Sequence, residues 1–493
     1  MLRATHSPDA GSWLPVFGRW VGVGVFALLL ALPPPEGLPV EGWRTAAVTS
    51  LMAIFWLTEA LAIPATALLP IVLFPALGVV DATTAAAPYA SDILFLFLGG
   101  FLIAAAMERC GVHRRIALAI IAQVGTSPSR IVFGFMAAAA FLSMWISNSA
   151  TTAMMLPIAI AIGEVFDQEK EGEGGLATPL LLGLAYAATI GGTTTLIGTP
   201  PNAVLAASTA GLLGREIGFL HWMAVALPIA GLLLPITWFL LTRILYPCSE
   251  NDLPSTDPVA RLRRDLGPAA PDEIRTAIIF GLTVAAWILR SEKVVGSVVI
   301  PGLESWIPGL RDSTIAMAGA LLLFVIPRGR FRGERVLDWD AAQTIPWGVL
   351  VLVGGGLSMT TAIDRSGLAA WLGTGGLLLE GLSPTLIVLL VAGVIVFLTE
   401  FTSNVATASV AMPILAGAAA GLGIPAIELM SVAALSASMA FMLPVATPPN
   451  AIVYGSGTLS IAQMSRAGFA LNLCSILLIT LLAPTLVTFF FRT

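Results

Sequence analysis

The sequence predicts an all-α polytopic membrane protein of about 11 transmembrane helices and two re-entrant hairpins, arranged as two inverted-topology repeats. Three observations predict it. Of 493 residues, 57% are hydrophobic and 11% charged, and the mean hydropathy is +0.92. A soluble domain carries about 25% charged residues, so this chain lacks the polar skin that water requires. Apolar runs of bilayer length, about 20 residues, recur from one end to the other. The two halves also match each other in order.

The apolar runs place spans near 16–34, 45–62, 64–80, 92–108, 177–197, 217–247, 276–290, 313–326, 345–362, 427–446 and 467–491. The first run ends at Pro33-Pro34-Pro35 without a small-residue cleavage site and reads as a transmembrane helix, not a signal peptide. Two more apolar stretches, 130–163 and 383–421, are interrupted midway by polar residues. Non-helical backbone at membrane depth is tolerated only inside protein or around a wet cavity, so both read as hairpins that enter and leave on one side.

Charge orients this map. With the N-terminus cytoplasmic, most of the 24 lysines and arginines fall inside, among them Arg109, Arg114, Arg115, Arg261, Arg263, Arg264, Arg328 and Arg335. The C-terminus then lies outside, the first hairpin opens from the cytoplasmic side and the second from the external side. The polar, proline-rich stretch 249–275 reads as a cytoplasmic linker between the halves.

Several function classes are excluded. The net charge is −5 and no basic block is long or aromatic enough for nucleic acid. The three cysteines (Cys110, Cys248, Cys474) and three histidines (His6, His113, His221) are too scattered for a disulfide framework or a resident metal. No nucleophile–base pair stands out at membrane depth, so an enzyme is not expected.

The halves match at one constant offset. Gly99-Gly100 pairs with Gly355-Gly356, Glu108-Arg109-Cys110-Gly111 with Asp364-Arg365-Ser366-Gly367, and S-N-S-A-T-T at 147–152 with S-N-V-A-T-A at 403–408. Pro157 pairs with Pro413. After a slightly smaller offset, G-T-P-P-N at 198–202 pairs with A-T-P-P-N at 446–450, and the acidic insert Glu164–Glu173, present only in the first half, accounts for the change. Inverted repeats of this kind build secondary transporters with a site near the midplane.

The paired motifs suit ions. Serine and asparagine disfavour helix continuation and favour an N-cap, so Ser147-Asn148-Ser149 and Ser403-Asn404-Val405 each end one helix and start another. Thr199-Pro200-Pro201-Asn202 and Thr447-Pro448-Pro449-Asn450 place a capping threonine before prolines at the first helical positions. Those prolines leave carbonyls free around 196–198 and 444–446. If the four breaks converge, four helix N-termini suit a carboxylate, and the freed carbonyls and side-chain oxygens suit a hard cation such as Na⁺. No lysine or arginine lies within any break, so cations must supply the positive charge. Either motif alone fits an interhelical hydrogen bond or a kink; occurring twice in the same order, they fit a site. Glu59 and Glu400 also lie in apolar segments, where a carboxylate is a candidate for a transport role, and each follows a threonine, which equally fits a hydrogen-bonded scaffold carboxylate.

These residues resemble the divalent anion/sodium symporter (DASS) family, the sodium-coupled dicarboxylate and citrate carriers. The likeness covers nearly the whole chain and is most specific in S-N-S-A-T-T-A-M-M-L-P-I at 147–158, G-T-P-P-N at 198–202, T-E-F-T-S-N-V-A-T at 399–407 and L-P-V-A-T-P-P-N-A at 443–451. The family's Ser-Asn-Thr motif departs at its third position twice, to Ser149 and to Val405. The resemblance implies one sodium site at Ser143, Ser147, Asn148 and Gly198, and its symmetry mate at Thr399, Ser403, Asn404 and Ala446. It implies substrate contacts from Asn148, Ser149, Thr199, Asn404, Val405 (by backbone at most), Thr447 and Pro448. Val405 removes one side-chain donor from the substrate wall.

The resemblance also implies a homodimer whose scaffold parts (1–90 and 216–343) hold transport parts (91–215 and 344–465) that move as an elevator, with 466–493 a C-terminal helix. The expected function is sodium-coupled transport of dicarboxylates of the succinate, malate and fumarate class. A citrate or tricarboxylate carrier, a sulfate carrier and a sodium-independent exchanger are the alternatives within this fold, and a passive anion channel is the alternative outside it.

Overall fold

In the computed structural model, residues 13–125, 127–167, 175–248, 258–295, 298–329, 334–375 and 381–491 are described. The acidic insert from residue 168 on and most of the first part of the linker (249–257) lie outside them.

Helix α1 (Trp13–Ala31) packs on α2 (Val40–Thr58). The span expected at 64–80 is instead two short helices, α3 (Ile63–Thr66) and α4 (Leu69–Ala76). Pro64 and Pro70 each occupy a first helical turn, where proline is pre-organised, and so restart the helix twice within one apolar run. Asp81 caps α5 (Ala82–Ala86) by accepting from Thr84 N–H at 2.9 Å, and a 3-10 turn leads into α6 (Asp92–Cys110).

Gly111 then takes φ 79°, a conformation open to glycine, and α7 (Val112–Val124) sets off in a new direction. This amphipathic helix, which buries Val112, Ala117, Leu118 and Ile121 on one face, was not expected. The first hairpin is α8 (Pro128–Ser143) and α9 (Asn148–Asp167), and the first broken rod is α10 (Ala177–Gly192) and α11 (Pro200–Leu213). Then come α12 (Phe219–Phe239, extended by a wide turn over Leu240–Leu245), α13 (Pro258–Asp265) within the linker, and α14 (Pro271–Leu289).

A two-stranded antiparallel ribbon, β1 (Lys293–Val295) and β2 (Val298–Ile300), departs from the all-helical expectation, because its β-branched residues favour a pleated ribbon. The second half repeats the plan: α15 (Asp312–Val325), α16 (Trp339–Ala342), α17 (Trp347–Arg365), then Gly367 at φ 77° and α18 (Leu368–Gly375). Hairpin α19 (Pro384–Thr399) and α20 (Asn404–Leu422), broken rod α21 (Ala426–Ser438) and α22 (Pro448–Tyr454), and α23 (Ile461–Phe490) complete it.

Six helices among the described residues are long and apolar enough to cross a bilayer. The shorter apolar helices include α8, α10, α19 and α21, which are first arms of hairpins and first halves of broken rods. Short arms that stop at the polar breaks are what the sequence predicts.

The packing is reciprocal. Each hairpin lies on its own rod, α8 and α9 on α10, and α19 and α20 on α21. The second half of each rod crosses to the other repeat: α11 packs on α20 and α21, and α22 packs on α9 and α10. That exchange brings all four breaks to one place.

Candidate functional site

Both hairpin tips are built as the sequence predicts. Ser147 Oγ accepts from Ala150 N–H at 3.2 Å and caps α9, so Asn148 is the first residue of the new helix. Ser403 occupies the same position before Asn404 and α20.

The rods are unwound further than the prolines alone require. Helix α10 stops at Gly192 and α21 at Ser438, well before the carbonyls expected to be free. The cause is a residue the sequence reading left without a role. Asn202 Nδ2 reaches back to the carbonyls of Thr193 (3.0 Å) and Thr195 (2.7 Å). Asn450 Nδ2 does the same to Ala440 (3.3 Å) and Leu443 (3.0 Å). Each asparagine supplies the donors that helical N–H groups no longer offer to a buried strand. Thr447 Oγ1 accepts from Asn450 N–H at 3.3 Å, capping α22, whereas Thr199 makes no such side-chain cap on α11.

The breaks enclose a cavity of about 720 Å³. Ser147, Asn148, Ser149, Gly198, Thr199, Ser403, Asn404, Val405, Ala446, Thr447 and Pro448 all line it. Ser143 and Thr399 stand behind the wall, both fully buried. The first turns of α9, α11, α20 and α22 thus face one space, and amides and hydroxyls make it hospitable to an anion. Among the described residues no lysine or arginine is on the wall, and the one ionisable side chain there is Glu59. Thr189, Thr402, Ser438 and the aromatics Phe101 and Phe401 also line it and were not foreseen, because nothing in their local sequence marks them.

Oxygen atoms cluster behind both tips. A Cβ placed on Gly198 would come within 2.3 Å of the Gly192 carbonyl oxygen and 2.9 Å of that of Ser143, so only glycine fits there. A Cβ on Gly192 would lie 2.3 Å from Asn148 Oδ1. Ser143 Oγ and Asn148 Oδ1 have no hydrogen-bond partner in the protein, so both keep acceptor capacity for a ligand. In the second repeat the Thr399 hydroxyl shares its one proton between Asn404 Oδ1 (2.8 Å) and the Ala437 carbonyl (2.9 Å), joining the tip to the rod. The oxygen-only donor set fits a hard monovalent cation. Among the described residues no cluster of His, Cys, Asp and Glu is fit for a transition metal.

Glu400 is not on the cavity wall. Its Oε1 accepts from Phe441 N–H (2.7 Å) and Met442 N–H (3.0 Å), its Oε2 from Leu443 N–H (3.2 Å), and Asn472 Nδ2 on α23 completes the set. It pins the unwound strand of the second rod, which is the scaffold role. In the first repeat the corresponding position is Met144, whose carbonyl accepts from Thr195 Oγ1.

Comparison with known proteins agrees with this architecture. The model of the sodium:sulfate symporter transmembrane region matches residues 16–490. The sodium-dependent dicarboxylate transporter SdcS of Staphylococcus saprophyticus is 41% identical over 480 residues, covering 95% of this chain and 91% of its own. SdcS of Staphylococcus aureus is 42% identical over 476 residues, covering 94% and 90%. Among solved structures, the Alcanivorax borkumensis YdaH transporter superposes with a TM-score of 0.58 over 97% of this chain and 99% of its own at 14% identity. Neisseria gonorrhoeae MtrF does so with 0.55 over 95% and 97% at 12% identity. At those identities the likeness concerns the fold alone. This chain is a multi-pass integral membrane protein, and it belongs to the sodium:sulfate symporter family, which is the divalent anion/sodium symporter family its motifs resemble.

Proposed function

We propose that the chain is a secondary active transporter that carries dicarboxylates of the succinate class across the membrane, coupled to sodium. The observation that carries this reading is the cavity itself: amide- and hydroxyl-lined, without a basic side chain among the described residues, and backed by oxygen atoms at both tips related by the internal repeat. The relatives that share about two-fifths of their residues with it are sodium-dependent dicarboxylate transporters, which favours a dicarboxylate over sulfate.

In this reading one sodium ion binds among Ser143, Ser147, Asn148 and Gly198, and a second among Thr399, Ser403, Asn404 and Ala446. One substrate carboxylate rests on Asn148, Ser149 and Thr199, the other on Asn404, the backbone at Val405, Thr447 and Pro448. The chemistry requires the cations. Moving one charge through 100 mV costs about 2.3 kcal/mol, so a dianion entering a negative-inside cell faces roughly twice that. Two sodium ions cancel the cost and a third makes entry favourable.

The hairpins and rods of 91–215 and 344–465 form the moving part, carried against a dimeric scaffold of 1–90 and 216–343. The N-terminus is cytoplasmic and the C-terminus external. The test is uptake by purified protein in liposomes, with labelled di- and tricarboxylates and sulfate, and with sodium, proton and counter-anion gradients imposed one at a time. Accumulation of succinate that requires an inward sodium gradient is the expected result. Uptake driven only by an internal counter-anion would replace symport by exchange.

A further inference from the structure

Glu59 is set where the local backbone opposes a glutamate twice over. It terminates α2 with φ 49°, and among the described residues it is the one non-glycine held in the left-handed region. Glycine is the ordinary occupant of such a helix end, since a side chain there crowds the backbone. The C-terminal end of a helix carries partial negative charge, which favours cations and disfavours a glutamate. The side chain is exposed on the wall of the cavity, and among the described residues that wall has no other charge and Glu59 makes no ion pair.

Its position is fixed as well as unfavourable. Glu59 N–H closes the helix on the Phe55 carbonyl. Helix α1 clasps the end of α2 so closely that a Cβ at Gly18 would overlap Thr58 and one at Gly22 would strike Phe55. Leu14 and Pro15 of α1 line the same cavity beside Leu57, Thr58 and Glu59. A strained residue held rigidly against its own preferences points to use, not accident.

We propose that Glu59 is the charge filter of the cavity: its carboxylate concentrates monovalent cations there and sets the penalty for anions by their charge, so that a dianion is admitted over a trianion. The inference rests on the transport reading above. A single fixed charge in a cleft with low-dielectric walls focuses the local field, raising the concentration of counter-ions and lowering that of like charges. Screening by salt weakens this action, because the Debye length falls from about 30 Å at 0.01 M to about 10 Å at 0.1 M.

The experiment measures sodium-driven succinate and citrate uptake in liposomes for the wild type, Glu59→Gln and Glu59→Asp, at low ionic strength and with choline chloride added. Glu59→Gln is expected to raise the sodium concentration for half-maximal uptake severalfold, to lower that for succinate, and to raise citrate uptake relative to succinate at a pH where citrate is a trianion. Glu59→Asp should stay near the wild type, and added choline chloride should bring the Gln variant and the wild type together. The inference is overturned if Gln and Asp variants change alike, or if Gln matches the wild type at low ionic strength. Should the Gln variant not fold, the wild type alone decides, since its half-saturating succinate concentration must fall as choline chloride is added, and a constant value overturns the inference. A wild type that moves no dicarboxylate at all contradicts the transport reading instead.

Discussion

Asn472 Nδ2 on α23 donates to Glu400 Oε1 at 2.7 Å, tying the C-terminal helix to the tip of the second hairpin. The same carboxylate takes the backbone N–H groups of Phe441, Met442 and Leu443. It acts as a buried anchor for the strand that ends at Ala446 and Thr447. Glu400→Gln keeps the shape but replaces one acceptor oxygen by an NH₂ that faces donors. The expected cost is about 1–3 kcal/mol for each N–H left unsatisfied. Thermal melting of the purified protein should fall and sodium-driven uptake should be lost. Wild-type melting and uptake would contradict the anchor.

Asn202 and Asn450 do for their strands what helical N–H groups would have done. Asn202→Ala removes the donor from the carbonyls of Thr193 and Thr195, and Asn450→Ala from those of Ala440 and Leu443. Each variant should lose about 1–3 kcal/mol of stability and most of its uptake, because buried carbonyls are left without partners. Equal losses from the two variants would fit the repeat; a loss from one alone would show that the hydrogen bonds match but their importance does not.

Gly192 faces the Asn148 side chain, and a Cβ there would stand 2.3 Å from Oδ1. Alanine otherwise favours a helix by about 1 kcal/mol over glycine, so Gly192→Ala is not expected to damage α10 through its helix propensity. It should displace Asn148 and raise the sodium concentration for half-maximal uptake at least several-fold. A normal sodium activation curve would mean that Asn148 Oδ1 is not a cation ligand.

The tips and the rods were legible in the sequence for a simple reason. A serine, an asparagine or a proline pair inside an apolar run has no low-energy place in a continuous membrane helix, so Ser147-Asn148 and Pro200-Pro201 announce their own breaks. Convergence was legible because the motifs recur in order. The length of the unwound strands was not, since it depends on Asn202 and Asn450 reaching backwards. The anchoring by Glu400 depends on N–H groups some forty residues away, and no local pattern reveals such a partner. Helix α7 was missed because Arg114 and Arg115 look like loop charges, although Ala117, Leu118 and Ile121 bury its other face. The valine ribbon of Lys293–Val295 and Val298–Ile300 has no clear sequence signal because it follows a transmembrane run and is only two short strands.

Val405 lines the cavity beside Asn404, where the first repeat carries the hydroxyl of Ser149. Val405→Thr restores a hydroxyl of nearly the same volume to the wall. It should change the ranking of succinate against citrate, read as the ratio of their uptake rates at subsaturating concentration. An unchanged ratio would mean that this side chain does not meet the substrate.

In the proposed site, two hairpin tips and two broken rods hold a doubly negative solute and its sodium ions with no basic side chain among the described residues. The most direct measurement is sodium-driven succinate uptake in liposomes by wild type, Asn148→Ala and Asn404→Ala, each checked for folding by thermal melting. The wild type is expected to accumulate succinate, and either substitution to reduce uptake at least tenfold while the protein remains folded. Wild-type uptake by a folded Asn148→Ala or Asn404→Ala variant would contradict the proposed site.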